Sequence, residues 1–374
     1  MKSVTLYDRY LLIATAILLL MGLLMVASTS ISLSTHFYHH PFRYLTRQLI
    51  YLALGLGLAL ITINIPIKTW QKLGPQLLIL GLLLLIIVLI PGIGKHVNGS
   101  ARWLGAGPIS IQVSEFMKLA MILYLASYLV RHREEVHERL IGFIKPLLIL
   151  IIICILLLKE PDFGAATVIL ATSLGMMFLA GARLGQFMGL LVLSLTAFSI
   201  LAISSPYRLQ RLTSFLNPWA NPFDSGYQLT QSLIAFGRGN WFGVGLGESI
   251  QKLFYLPEAH TDFVFAILTE ELGLLGALFL IATYALLTIR IFMIGRRAQE
   301  LQYDFAAYVA YGIGLWISLQ VLINFGVNTG LLPTKGLTLP FMSYGGSSLL
   351  ISCVAISILI RIDYENRKRN LSYL

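Results

Sequence analysis

The chain has 374 residues, of which 57% are hydrophobic and only 12% are charged, and its formal net charge is +10. A soluble globular domain carries about twice that share of charged residues, so the composition excludes an ordinary soluble protein. The basic excess does not indicate nucleic-acid binding either, because the Lys and Arg residues are dispersed among short loops without an accompanying aromatic platform.

Long apolar runs recur from one end of the sequence to the other and predict membrane-spanning helices. A helix needs about 20 mostly apolar residues to cross the hydrocarbon. The runs centre near Leu20, Leu58, Leu84, Tyr124, Ile152, Ser173, Ser194, Leu278, Trp316 and Cys353. The sequence therefore predicts an all-α polytopic membrane protein of about ten transmembrane helices, folded as a single integral domain over residues 1–374. The first run is too long for a signal-peptide core, and we interpret it as a retained span.

The distribution of basic residues predicts the topology. An even number of spans places both termini on one side, and Lys and Arg are more numerous in the loops of that side. We therefore expect short cytoplasmic tails at residues 1–9 and 362–374. A long extracytoplasmic loop, residues 205–262, then separates the seventh and eighth spans. The fifth and sixth spans are separated only by the short connection from Lys159 to Gly164.

Few ionisable residues fall inside the predicted spans, where a charge costs about 2.5–3.5 kcal/mol on insertion scales. Glu115 and Lys118 open the fourth span three residues apart, which places them on one helix face within pairing distance. They either anchor the helix end at the interface or line a cavity open to the outer surface. Glu270 and Glu271 follow the long loop, and the leading interpretation is that they cap the eighth span.

Other polar residues have a structural interpretation beside a functional one. Asn324 and Asn328 lie one turn apart in the ninth span, where amides bind substrate less often than they hydrogen-bond between helices. Arg102 is either a solvated neighbour of the interfacial Trp103 or a bidentate phosphate ligand. Asp162 stands at an outward helix junction, where capping of the next helix is a sufficient explanation.

The long loop contains the glycine run Gly243-Val-Gly-Leu-Gly247 and ends with a crowd of polar residues. The run lacks the Gly-Lys-Ser/Thr ending of a phosphate loop, and we expect close backbone packing there instead. Glu258, His260 and Asp262 lie just before a span. They could hold a metal, but no Cys or second His completes a tetrahedral zinc set. A carboxylate acting as a base at the membrane surface is the better chemical prediction.

The last outward loop places Lys335 between two prolines and continues into Ser343-Tyr-Gly-Gly-Ser-Ser348. The glycine and serine residues allow an intramembrane serine hydrolase with His260 as its base. That interpretation is disfavoured because no suitable nucleophile motif is present.

Taken together, these segments closely resemble the SEDS family (shape, elongation, division and sporulation) over nearly the whole chain. The likeness is greater to its cell-division members from Gram-negative bacteria than to its elongation members. One departure is Val113, where the family commonly has Pro. The resemblance is carried by Arg102-Trp103, Gln112-Val-Ser-Glu-Phe-Met-Lys118, Glu160-Pro-Asp-Phe-Gly164, Gly226-Tyr-Gln-Leu-Thr-Gln-Ser232, Leu256-Pro-Glu-Ala-His-Thr-Asp-Phe263 and Pro333-Thr-Lys-Gly-Leu-Thr-Leu-Pro340.

The resemblance implies a peptidoglycan glycosyltransferase that polymerises lipid II at the outer face of the cytoplasmic membrane during septal cell-wall synthesis. Asp262 occupies the position of the family's essential aspartate, and we expect it to be the general base of an inverting hexosyl transfer from undecaprenyl diphosphate. A divalent cation, Mg²⁺ or Mn²⁺, is the one cofactor considered, as a supplement to the cationic side chains. The residues expected around the substrate are Arg102, Glu115, Lys118, Asp162, Glu258, His260 and Lys335.

The resemblance also implies partners and a location. We expect a class B penicillin-binding transpeptidase and other division proteins as partners, and the inner membrane at the division septum as the site of action, with the active site facing the periplasm. Two other functions stay open. A lipid II flippase would require a charged path across the bilayer, whereas the charges here concentrate on the outer side. A non-catalytic division scaffold would tolerate replacement of Asp262.

Overall fold

The structure is a computed structural model that describes residues 7–97, 100–105, 110–138, 140–181, 213–334 and 336–372, with isolated positions between 185 and 203. Its helices are α1 (Arg9–Tyr38), α2 (Arg43–Ile63), α3 (Ile67–Val88), α4 (Val113–Arg131), α5 (Arg133–Glu138), α6 (Leu140–Lys159), α7 (Phe163–Leu179), α8 (Tyr227–Gly239), α9 (Val264–Glu300), α10 (Asp304–Asn328) and α11 (Gly346–Ser372). In the described part of the chain, eight helices are long and apolar enough to cross a membrane, and α7 is a shorter apolar helix.

These nine helices coincide with nine of the ten predicted spans, so the expectation of an all-α polytopic membrane protein is confirmed. The span predicted near Ser194 lies almost wholly outside the described residues. The predicted break between the fifth and sixth spans is also present, since α6 ends at Lys159 and α7 begins at Phe163.

A small antiparallel sheet joins α3 to α4 and was not predicted. Its strands are β1 (Lys95–Val97), β2 (Ser100–Leu104) and β3 (Ile111–Gln112), in the order β1-β2-β3. Trp103 pairs with Gln112, the residue that immediately precedes α4. The sheet therefore fixes where α4 begins.

The helices differ in how much of their surface other helices cover. The most apolar stretch of α4 is 83% buried, whereas those of α2 and α3 are 22% and 28% buried. An apolar helix that is covered on all sides belongs at the centre of a bundle, and one with an open apolar face contacts lipid. The centre is therefore built around α4, with α10 and α11 also largely covered.

The start of α1 and the C-terminal part of α11 meet at one end of the bundle. Arg290 of α9 donates from Nε to Asp8 Oδ2 at 3.0 Å, and Arg297, two turns later, pairs with Asp363 at 3.5 Å. The start of α1 and the end of α11 therefore lie together beside the C-terminal part of α9. This arrangement agrees with an even number of spans, and it places the start of α9 near Asp262 at the opposite surface.

The long loop is folded rather than irregular. Its described part, which begins at residue 213, contains a 3₁₀ turn at Pro218–Ala220, helix α8 and a single π turn at Gln251–Tyr255. The segment after α8, residues 240–255, lies beside α9 and is called the inserted segment. At this point α9 is broken at Gly273 (φ 68°, ψ −170°). Val244 N–H donates to the carbonyl of Glu270, and Leu274 N–H donates to the carbonyl of Asn240. The inserted segment thus satisfies backbone groups that the break exposes, as a low-dielectric environment requires.

Close backbone contact explains the glycines at this crossing. A Cβ on Gly243 would lie 2.1 Å from the carbonyl oxygen of Glu271, and one on Gly273 would lie 2.4 Å from the nitrogen of Gly243. Both residues also have positive φ angles, which side chains rarely adopt. The prediction of close backbone packing is therefore confirmed at Gly243, whereas a Cβ on Gly247 would meet nothing within 4 Å.

Glu270 and Glu271 do not cap α9, so the capping interpretation was wrong. The helix begins at Val264, and the two glutamates lie about two turns inside it with fully buried side chains. Glu270 pairs with Arg238 of α8 at 2.8 Å, and Glu271 pairs with Lys252 at 2.7 Å. Their partners come from the inserted segment and the helix before it, so the two ion pairs hold that segment against α9.

Candidate active site

Asp262 lies in a series of turns immediately before α9, and its side chain is partly exposed. Glu258, with a positive φ of 56°, closes the preceding turn by accepting from Phe263 N–H through its carbonyl at 3.2 Å. Its carboxylate accepts from the Thr261 hydroxyl at 2.7 Å. Glu258 therefore shapes the turn that presents Asp262.

The loop before α11 lies directly across from Asp262. Tyr344 N–H donates to the carbonyl of His260 at 2.9 Å, and the Ser343 hydroxyl donates to the carbonyl of Thr261. Further along the loop, a Cβ on Gly336 would lie 3.0 Å from Asp262 Oδ2. The backbone at Gly336 thus forms one wall beside the carboxylate. Lys335, the adjacent predicted substrate ligand, lies outside the described residues.

Gly336→Ala is expected to reduce turnover at this site about tenfold or more while leaving the fold intact. The added methyl group would push the Asp262 carboxylate aside by a few tenths of an ångström, and a misplacement of 1 Å can cost about 100-fold in rate. Turnover of purified protein measures the effect. Gly57→Ala is the matched control, because a Cβ there meets nothing within 4 Å. Equal activity of Gly336→Ala and Gly57→Ala would contradict the conclusion that the backbone at Gly336 borders the Asp262 carboxylate.

Asp162 joins α7 to α4 at the same end of the bundle. It caps α7 by accepting from Ala165 N–H at 3.1 Å, as the sequence predicted. Its other oxygen accepts from the Ser114 hydroxyl at 2.9 Å, and the side chain is 3% exposed. Two residues later, a Cβ on Gly164 would lie 3.3 Å from the carbonyl oxygen of Gly336. Asp162 therefore supports the wall that Gly336 forms beside Asp262.

Arg102 binds backbone carbonyls of the connection between α6 and α7. Its Nε donates to the carbonyl of Glu160 at 3.0 Å, and Nη2 donates to the carbonyl of Pro161 at 2.6 Å. These bonds attach β2 to the connection. Because a guanidinium has five N–H donors, the geometry still leaves donors for a phosphate.

Glu160 is a residue of this site to which the sequence analysis gave no role. Its side chain is 1% exposed, and neither carboxylate oxygen has a hydrogen-bond partner among the described residues. Burial raises the pKa of Glu160 to about 8, with Asp162 adding to the increase and Arg102 opposing it. The side chain is therefore a neutral acid at pH 7. The only available signal was its place in a Glu-Pro-Asp motif, which does not indicate burial.

Glu160→Gln is expected to stabilise the protein above neutral pH. The carboxyl group ionises near pH 4.5 in the unfolded chain and near pH 8 in the native protein. Between these two pH values the native state binds one proton more than the unfolded state. The stability of the parent protein therefore falls as the pH rises from 4.5 to 8. A tenfold change in an ionisation constant corresponds to about 1.4 kcal/mol of stability. Thermal unfolding from pH 5 to pH 9 should show the variant gaining on the parent up to about pH 8.

Glu134→Gln, at an exposed glutamate of α5, is the control variant for this comparison. A constant difference in unfolding temperature between Glu160→Gln and the parent across the pH range would contradict the raised pKa.

Glu115 and Lys118 form a buried ion pair rather than an interfacial anchor. Lys118 Nζ lies 2.8 Å from Glu115 Oε1, and the lysine and glutamate are 2% and 5% exposed respectively. The same ammonium donates to Gln320 Oε1 of α10 at 2.8 Å, and Gln320 donates to the carbonyl of Thr338 at 2.8 Å. The pair therefore connects α4 through α10 to the loop that faces Asp262. A direct contact between Lys118 and substrate requires this network to open.

His260 packs in an aromatic cluster beside the site. Its ring centroid lies 5.2 Å from that of Tyr44 and 5.6 Å from that of Tyr344. Burial lowers the pKa of His260, against the opposing influence of Glu258, so the imidazole is neutral at pH 7. Ser347, the serine of the Gly-Gly-Ser segment, donates from its hydroxyl to the carbonyl of Ser110 at 3.2 Å rather than to an imidazole. The geometry therefore does not support the serine hydrolase interpretation.

The described residues contain no cluster of three or more His, Cys, Asp or Glu side chains that could hold a metal ion. Within that part of the chain, the trio suggested by Glu258, His260 and Asp262 does not form a metal centre.

The fold and the site define a class of protein. It is a polytopic helical membrane protein with the carboxylate of Asp262 at the surface opposite the start of α1. The chain belongs to the FtsW/RodA/SpoVE family of cell cycle proteins, whose family model matches residues 9–368.

Individual relatives agree with this assignment. The chain is 57% identical over 370 residues to a protein of Legionella pneumophila named "Probable peptidoglycan glycosyltransferase FtsW", covering 99% of this chain and 94% of that protein. A protein of Coxiella burnetii with the same name is 60% identical over 359 residues, covering 96% of each.

Solved structures show the same fold. A chain described under "Structural coordination of polymerization and crosslinking by a peptidoglycan synthase complex" superposes with a TM-score of 0.77 at 27% identity, covering 96% of this chain and 98% of that one. The rod shape determining protein RodA of Thermus thermophilus superposes with a TM-score of 0.71 at 26% identity, covering 96% and 97%.

Proposed function

We propose that this protein is a peptidoglycan glycosyltransferase that polymerises lipid II into glycan strands. The observation that carries the proposal is the Asp262 carboxylate, which lies at the start of α9 against the backbone of Gly336, at the surface opposite both termini. The names of the relatives, which match over nearly the whole chain, support the same activity.

The proposed reaction needs a base and a means of stabilising the leaving group. An acceptor sugar hydroxyl attacks the anomeric carbon of the donor, the bond to the diphosphate breaks, and the hydroxyl proton passes to Asp262. A single displacement inverts the configuration from α-diphosphate to β-glycoside. Because a carboxylate is a weak base for an alcohol, proton transfer is late and coupled to bond formation.

Cationic side chains stabilise charge on the departing diphosphate in this proposal. Lys335, next to Gly336, and Arg102, whose guanidinium keeps donors beyond those given to two carbonyls, are the proposed ligands. Lys118 acts indirectly in the described conformation, since it is paired with Glu115 and buried.

A divalent cation, Mg²⁺ or Mn²⁺, belongs to the proposal as a companion of the diphosphate. Because the described residues offer no cluster of three ligands, that part of the chain does not cage such an ion by itself. Mg²⁺ commonly binds substrate phosphates with one or two carboxylates and water, so the substrate itself would supply most of its ligands. The ion would supply charge neutralisation at the diphosphate.

The lipid tail of the donor requires lateral access from the bilayer. A groove of about 470 Å³ lies between α1 and the inserted segment, lined on one side by Leu24 and Ile31 and on the other by Leu246 and Leu253. Its lining also includes Ser28, Glu248 and Lys252, so the groove is mixed in character, and we propose it as a place where a lipid-linked substrate enters.

The proposal includes a partner and a place. A class B penicillin-binding transpeptidase is the proposed partner, supported by the likeness to a chain from a synthase complex that coordinates polymerization and crosslinking. We place the protein in the inner membrane at the division septum, with both termini cytoplasmic and Asp262 facing the periplasm. The basic bias of the terminal side supports this orientation.

Purified protein in liposomes, with and without its transpeptidase partner, tests the proposal when lipid II is supplied. The expected product is polymeric glycan, seen as long uncrosslinked strands when the transpeptidase is inhibited. Movement of lipid II between leaflets without polymer would favour a flippase, and neither result in the presence of the partner would favour a scaffold. Omission of Mg²⁺ and Mn²⁺ tests the cation in the same assay.

A further inference from the structure

Two amides of α10 converge on the main chain of Asp262. Asn324 Nδ2 donates to the carbonyl oxygen of Asp262 at 2.9 Å, and Asn328 Nδ2 donates to the same oxygen at 3.0 Å. The asparagines lie one helical turn apart, and they are 2% and 0% exposed. Both donors are therefore buried and aimed at one acceptor.

The same two side chains also bond to segments on either side of the Asp262 carbonyl. Asn324 Nδ2 also donates to the carbonyl of Leu337 at 2.7 Å, which follows the glycine bordering the Asp262 carboxylate. Asn328 Oδ1 accepts from Ala266 N–H at 3.2 Å, in the first turn of α9. The two side chains thus hold three segments together: the turn before α9, the first turn of α9 and the loop across from Asp262.

This pattern differs from general hydrogen bonding between helices. Amides that serve only as interhelical contacts bond to groups of a neighbouring helix. Asn328 makes one such bond, with Ala266 N–H of α9, but the carbonyls bonded outside α10 belong to Asp262 and to Leu337, the residue after Gly336. Each NH₂ group offers two donors, and both are used in each residue, since Asn328 Nδ2 also reaches the carbonyl of Asn324 at 2.8 Å. A fully satisfied buried network of this kind restricts the geometry of the groups it joins.

We infer that Asn324 and Asn328 are positioning residues, whose amides fix the backbone of Asp262 and of the facing loop so that the carboxylate points at the acceptor hydroxyl. The inference rests on the proposed function of Asp262 as the base. It assigns no substrate contact to either asparagine. Loss of one amide leaves a buried carbonyl with fewer partners and allows the turn to shift, and catalysis is sensitive to shifts of about 1 Å.

Turnover of lipid II by four variants tests the inference: Asn324→Ala, Asn324→Ser, Asn328→Ala and Asn328→Ser. We expect each alanine variant to lower kcat at least tenfold with KM within about threefold of the parent value, because binding groups are untouched. The serine variants, which keep a donor of shorter reach, should lie between. They decide the question where an alanine variant does not fold.

The matched control is Ser318→Ala on the same helix, which removes a hydroxyl that donates to the carbonyl of Leu315 at 3.1 Å. It should leave kcat unchanged. Folded asparagine variants with kcat within about twofold of the parent, or with KM raised and kcat unchanged, would overturn this inference. The proposed function would be unaffected by that result. An inactive parent protein would overturn the proposed function and this inference with it.

Discussion

Asp262→Asn is expected to abolish glycan polymerisation, with a fall in kcat of about 1,000-fold or more, while the protein stays folded. The amide has the shape of the carboxylate but cannot accept the acceptor proton, and general base catalysis alone contributes about 100- to 10,000-fold. The carbonyl of Asp262 keeps its bonds to Asn324 and Asn328, because they involve the main chain. Lipid II turnover and thermal unfolding of the same preparation measure the two parts of this result.

Asp304→Asn is the control for this substitution. Asp304 is partly exposed and pairs with Arg133 at 3.2 Å at the start of α10, far along the chain from the site-bearing turns. Exposed ion pairs contribute about 0–1 kcal/mol, so the variant should keep its activity. Full polymerisation by a folded Asp262→Asn protein would show that Asp262 is not the base.

Glu271→Ala is expected to destabilise the protein by about 3–5 kcal/mol, because it leaves the ammonium of Lys252 buried without its counter-charge. The glutamate and lysine side chains are 0% and 6% exposed, and the carboxylate also accepts from the Ser28 hydroxyl of α1 at 2.6 Å. Glu270→Ala should have a smaller effect, because the side chain of its partner Arg238 is 34% exposed and water can solvate it. Thermal unfolding should show a midpoint several degrees lower, and polymerisation should fall as the inserted segment loosens.

Two comparisons isolate the buried charge as the cause. Glu300→Ala breaks an ion pair with Arg296 whose side chains are 61% and 78% exposed, and it should change stability by less than about 1 kcal/mol. Replacing both Lys252 and Glu271 by Met should cost less than either single change, because an apolar pair carries no uncompensated charge. A double variant less stable than both single variants would rule out this explanation.

Features that depend on local chemistry were predicted correctly from the sequence. The bilayer demands long apolar helices, so the spans stand out without any knowledge of their packing. Asp162 followed by Phe163 and Gly164 indicates a helix start, and the structure shows that cap. The glycine run allowed close backbone approach, which the contact of Gly243 with Glu271 confirms.

Features that depend on distant parts of the chain were missed. Glu270 and Glu271 lie near a predicted helix start, but their partners Arg238 and Lys252 belong to other elements that pack back onto α9. Glu160 is likewise buried in the connection between α6 and α7, to which Arg102 of the distant strand β2 is bonded. Neighbouring residues in the sequence carry no signal for such contacts.

The sequence by itself determined the solvent of this protein, the order of its described apolar helices, and the motifs that indicate its family. These properties follow from composition and from short-range patterns, because each span must satisfy its own backbone in lipid. The tertiary structure alone decided which polar residues from distant parts of the chain meet. It broke α9 at Gly273, buried the charges of the inserted segment, and brought Asn324, Asn328 and Gly336 to Asp262 from across the bundle.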